Sequence, residues 1–143
     1  MVATGVVYLI DKSALARMPH PAVRRSLEPL ILDKTLAICE VTQIEMLFSA
    51  RDSRSYELEA EHLREGFRLL SVSASEVAAR ALDVQAMLAR KSQHRGVGVR
   101  DLLIAACAEV HRATVLHYDR DFDLIAEVTG QPALWVAPPG SIP

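Results

Sequence analysis

The chain has 143 residues, of which 50% are hydrophobic and 24% charged, with a formal charge of −2. That is the size and make-up of one globular domain with a substantial buried core. No apolar run is long enough to cross a bilayer. The opening "MVATGVVYLIDKS" has no basic leader and meets Asp11 after a short apolar stretch, so it reads as neither a signal peptide nor a membrane anchor. The two cysteines, Cys39 and Cys107, sit in apolar segments without ligand-like spacing. They read as buried thiols of a reducing compartment, the cytoplasm.

In chain order, "VVYLI" (6–10) is a short β-branched run and the first predicted strand. From Pro21 to Asp33, Val23, Leu27, Leu30 and Ile31 make an amphipathic helical stripe. "LAIC" (36–39) is a second strand, and Ile44, Leu47 and Phe48 begin another helix. Leu58, Leu63 and Phe67 line a third helix, before the strand "LLSV" (69–72). A long helix is predicted from Ser75 to Lys91, with basic residues at its end, where the helix dipole favours them. "QHRGVG" (93–98) reads as a flexible loop. A very apolar helix with Leu102, Leu103, Ala105, Ala106 and Val110 follows, then the strand "TVLH" (114–117), the helix "RDFDLIAEV" and the strand "LWVA" (134–137). Residues 137–143 read as a tail. Strands alternating with helices, without hairpin turns, predict one α/β domain over 1–143 with a mostly parallel sheet.

Four acids stand where such a sheet places its sites, beyond the carboxyl ends of the strands. Asp11 follows the first strand and Asp119 the fourth, while Glu45 and Asp101 lie near helix starts, which gather at the same edge. Each also fits a structural role. Asp11 reads as an N-cap, and Thr42-Gln43-Ile44-Glu45 reads as a capping box. Asp101 suits a first helical turn, and Asp119 can cap the helix whose first turn holds Asp121 and Asp123. Ala105 and Ala108, on the face of Asp101, leave room around its carboxylate.

Cost separates the collective readings. Two carboxylates about 4–5 Å apart repel by roughly 3–4 kcal/mol at an effective dielectric of 20. Four converging acids therefore either keep protons or hold a cation, and carboxylate oxygens suit hard ions such as Mg²⁺ or Mn²⁺. Net charge leaves the partner open. If a metal neutralises four acids, −2 becomes +2 for the remaining surface. Lys12, Arg17, Arg100 and the other dispersed bases read first as solvated helix faces.

In order and spacing, "YLIDKSAL", "VTQIEML", "RDLLIAACAE" and "VLHYDRDFDLI" resemble the acidic motifs of PIN-domain ribonucleases, in particular the VapC toxins of bacterial toxin–antitoxin pairs. The likeness runs from about Val6 to Val136. It implies a three-layer α/β fold and a Mg²⁺- or Mn²⁺-dependent endoribonuclease acting on structured RNA, either tRNA or a ribosomal RNA loop. It further implies a homodimer restrained by a cognate antitoxin. The family's acids carry over as Asp11, Glu45, Asp101 and Asp119, with Asp121 as a common fifth and Ser13 supporting the first acid. His117 departs from the Thr or Ser frequent two residues before the fourth acid. Lys12 likewise departs from a small hydroxyl residue. Lys12, Arg100 and Arg120 are candidate RNA contacts, and Asp123 is expected to face solvent. Two rival readings are a non-catalytic PIN-like interaction module and a Mg²⁺-dependent aspartyl phosphoryl-transfer domain. The second lacks the further Asp at i+2 after Asp11.

Overall fold

The computed structural model describes residues 5–143; the part of the leader reading that rests on residues 1–4 lies outside them. Five strands form a wholly parallel sheet: β1 (Tyr8–Ile10), β2 (Leu36–Ile38), β3 (Arg68–Leu69), β4 (Thr114–His117) and β5 (Ala133–Trp135), in the order β3-β2-β1-β4-β5. β1, β2 and most of β4 are buried on both faces, which explains why they read as unbroken apolar runs.

Alternate strand residues build two cores. Tyr8, Ile10, Leu36, Ile38 and Leu116 pack with α1 (Lys12–Leu15), α2 (Pro21–Leu32) and Leu63 of α4 (Ser53–Gly66). Leu9, Ala37 and Val115 face the opposite way, onto α5 (Val77–Arg90), α6 (Val99–Val110) and α7 (Asp121–Thr129). Helix, sheet and helix make three layers. α6 lies over the sheet with Ile104, Ala105, Ala106, Cys107 and Ala108 buried, and the small alanine and cysteine side chains let it approach the strands closely. Gly130, at φ +72°, ends α7 in the left-handed region, where its N–H bonds the Ala126 carbonyl. Among the described residues, no helix is long and apolar enough to cross a membrane.

Several boundaries differ from expectation for physical reasons. Pairing at β3 stops soon after Leu69, because Glu40 takes over as partner. Its carboxylate accepts from the Val72 N–H (2.9 Å) and the Ser71 hydroxyl (2.5 Å). The segment expected to be a loose loop, 93–98, contains a 3₁₀ turn at His94–Gly96 and buries Val97. The tail folds back, with the Ile142 carbonyl accepting from the Tyr118 hydroxyl at 3.1 Å.

The capping box does not form. α3 (Glu40–Phe48) begins two residues ahead of Thr42, after Cys39. The Thr42 hydroxyl is buried and donates to the Ile10 carbonyl (3.4 Å), tying α3 to the end of β1. Glu45 therefore stands in the second turn of the helix, clear of the cap.

Candidate metal centre

Strand order reverses around β1, whose neighbours are β2 on one side and β4 on the other. At such a switch point the crossovers leave in opposite directions and open a crevice at the carboxyl edge. Asp11 stands at the exit of β1, and its N–H bonds the Leu116 carbonyl of β4 (2.9 Å). Asp119 stands two residues beyond β4. Between them opens a cavity of about 400 Å³ lined by Asp11, Glu45, Asp101, Asp119 and Asp121, with Lys12, Ser13, Ala16, Arg17, Gly98 and Arg100.

The tightest group is Asp101, Asp119 and Asp121, each offering an oxygen within 4.8 Å of the others. Asp121, expected only as an auxiliary, belongs to this trio. Asp11 and Glu45 face the same cavity outside it. Arg120 is exposed and stands outside the residues that line the cavity, next to Asp119 and Asp121.

Local turns fix the acids. Asp11 caps α1, with its Oδ2 accepting from the Ser13 N–H at 2.9 Å. Asp119 Oδ1 accepts from the N–H of Asp121, the first residue of α7, at 2.9 Å, so a bond to the helix start and convergence coexist in one residue. Ser13 supports the arrangement differently from expectation. It holds Asp11 through its backbone N–H, while its hydroxyl accepts from the Tyr118 N–H (2.8 Å) and ties α1 to the exit of β4. His117 is fully buried. Its Nδ1 accepts from the Asp119 N–H (3.1 Å), which puts the ring proton on Nε2. That nitrogen has no hydrogen-bond partner, and the ring lies 5.0 Å from both the Phe122 and Trp135 rings. Burial lowers the His117 pKa, outweighing the pull of Asp123, Asp11 and Asp119. Asp123 does not face solvent as expected: its carboxylate accepts from Trp135 Nε1 at 3.1 and 3.2 Å.

Electrostatics follow from crowding. Burial, then the Asp11 charge, then donation of a hydrogen bond to Asp121 push the Asp101 carboxyl up to about 8. Asp121 is also raised, mainly by burial, although the hydrogen bond from Asp101 opposes this. Burial raises Glu45 as well, against the pull of Arg100, whose Nη1 lies 2.8 Å from Glu45 Oε2. At neutral pH the trio thus retains a proton, and it offers only hard oxygen donors around a shared centre. That donor set fits a divalent Mg²⁺ or Mn²⁺.

Arg17, in the sequence one dispersed base among many, lines the cavity. Its Nη1 donates to the Ser13 carbonyl (2.7 Å), and its guanidinium lies 4.6 Å from the Tyr118 ring centre. The available signal is its place one turn after Ser13, just past the end of the short helix that Asp11 caps.

The sequence model of the PIN domain family matches residues 8–128. Ribonuclease VapC51 of Mycobacterium tuberculosis is 46% identical over 135 residues, covering 94% of this chain and 96% of the relative. Ribonuclease VapC18 of the same organism is 38% identical, covering 96% of this chain and all of the relative. Among solved structures, VapBC2 from Rickettsia felis, bound to a DNA fragment from its promoter, superposes with a TM-score of 0.73 at 16% identity. The match covers 91% of this chain and 98% of that one.

Proposed function

Because this chain belongs to the PIN-domain family, we propose that it is a Mg²⁺- or Mn²⁺-dependent endoribonuclease of the VapC toxin type. It hydrolyses phosphodiester bonds of structured RNA, tRNA or a ribosomal RNA loop, in the cytoplasm, and a cognate antitoxin neutralises it. The observation that carries this reading is the convergence of Asp101, Asp119 and Asp121, with Asp11 and Glu45 on the same cavity wall. The names of the relatives supply the reaction class, and the VapBC assemblies of similar fold motivate the antitoxin.

In this reading Asp101, Asp119 and Asp121 hold the cation, with Asp11 and Glu45 completing its surroundings. Bound there, such an ion supplies Lewis-acid chemistry, activating water and offsetting charge on the attacked phosphate. The remaining work falls to the chain. Ser13 and Tyr118 keep α1 and the β4 exit in register, so Asp11 and Asp119 stay opposed. Lys12, Arg17 and Arg100 line the cavity and receive the flanking RNA phosphates. Neutral His117 keeps the Asp119 backbone in place. The proton held by Asp101 must leave before the cation binds.

Ile44 and Phe48 share one face of α3 and are 68% and 88% exposed. A second copy of the chain is the proposed cover for that face, making the active form a homodimer.

The test is cleavage by the purified protein with Mn²⁺, together with sequencing of RNA 5′ ends after induced expression. Discrete new ends, lost in chelator, are expected. Undiminished cleavage in chelator, or no cleavage of any cellular RNA, would overturn the reading.

A further inference from the structure

Among the acids around the cavity, Glu45 differs from the aspartates in having a cation in contact. Arg100 Nη1 sits 2.8 Å from its Oε2. The pair is lopsided, with the Glu45 side chain 13% exposed and the Arg100 side chain 69% exposed. Glu45 is thus fixed inside the site, and Arg100 reaches in from the rim on the residue next to Asp101. An ion pair with so exposed a member breaks at little cost. Its charge nevertheless stands on the wall of the cavity that the aspartates line, where it opposes entry of a divalent ion, and its guanidinium occupies one Glu45 oxygen.

We propose that Arg100 is an internal counter-ion that competes with the divalent cation for Glu45, weakening metal binding in the free protein and becoming available to an RNA phosphate once the metal has displaced it. This inference rests on the metal-dependent reading above and adds an exchange to it. One guanidinium serves a carboxylate before loading and a phosphate after it, and its planar fork fits either partner. Metal loading and RNA binding are then coupled, and the coupling is reciprocal.

The experiment is Mn²⁺ binding without RNA, by calorimetry and by the electron paramagnetic resonance of free Mn²⁺. The proteins compared are wild type, R100M, R100K, E45Q and R100M/E45Q. Methionine keeps an unbranched apolar stem and removes the charge. R100M is expected to bind Mn²⁺ about three- to ten-fold more tightly than wild type, and R100K within about two-fold of it. On the E45Q background the gain from R100M should shrink below about two-fold, because the competition has lost its object. Wild-type affinity or weaker in R100M, or an equal gain with and without Glu45, would overturn the proposal, as would a wild-type protein that binds no Mn²⁺. The ribonuclease reading fails separately: a protein that shows the R100M effect yet cuts no RNA contradicts that reading and leaves the exchange standing.

Discussion

At its amino end α6 holds Asp101 against Asp11, Asp119 and Asp121; eight residues on, the same helix holds Glu109 in a two-point contact with Arg80 of α5, at 2.6 and 2.9 Å. One acid has carboxylates for neighbours and a pKa near 8, while the other has a guanidinium in register. The fold is therefore able to supply a counter-ion to an acid on this helix. At the carboxyl edge of the sheet it assembles more negative charge instead. An arrangement that disfavours folding on its own terms, yet is maintained by local turns that bring the acids together, is the one that the proposed cation would offset. Glu45, with its borrowed Arg100, lies between these extremes.

The largest expected effect comes from removing charge at the unbalanced end. Asp101→Asn and Asp119→Asn should each lower RNA cleavage by about 10²–10³-fold or more, measured as single-turnover rates with Mn²⁺. The fold should persist by circular dichroism, because Asp101 caps no helix and an Asn side chain can still accept the Asp121 N–H bond that Asp119 takes. Glu109→Gln should leave the rate unchanged. An equal loss in Glu109→Gln would erase the contrast between the two ends.

Proton linkage gives a second separation. Native Asp101 keeps its proton to about pH 8, whereas the unfolded chain releases it near pH 4. The unfolded state thus binds fewer protons across that window, and the stability of the metal-free protein should fall as pH rises from about 4 to about 8. Asp101→Asn should flatten this slope and raise the Tm of the metal-free protein at pH 8 by at least about 3 °C. Mn²⁺ affinity should move the opposite way, increasing with pH by up to about ten-fold per unit below pH 8, with proton release visible as a buffer-dependent heat. A flat affinity profile would mean that Asp101 holds no proton.

The smallest effect belongs to the balanced end. Glu109→Gln should cost about 0.5–1 kcal/mol in urea unfolding, since the Arg80 pair is partly exposed. A much larger loss would show that this end is as strongly constrained as the site.

Legibility in the sequence tracks how local each signal is. Asp11 and Asp119 could be found because apolar strand runs end in charge, and a parallel sheet sends its strand exits to one edge. Asp101 could be found because the alanines after it are too small for an ordinary surface helix face. Glu45 reads as a site acid beside a competing local alternative: Thr42 has the spacing of a cap, yet it is spent on the Ile10 carbonyl across the sheet edge. Asp123 and Arg17 carry no local signal of their roles, because their partners, Trp135 on β5 and Tyr118 beyond β4, are 12 and 101 residues away in the chain. Nor did composition reveal that β3 would give way to the Glu40 side chain, a tertiary substitute for strand pairing.

The most direct test of the account is a Mn²⁺ titration at pH 8 of the wild-type protein, Asp101→Asn, Asp119→Asn and Glu109→Gln. Saturable binding is expected in wild type and Glu109→Gln and its loss in the two aspartate variants. Wild-type affinity in Asp101→Asn and Asp119→Asn would contradict the claim that these carboxylates gather to hold a divalent cation.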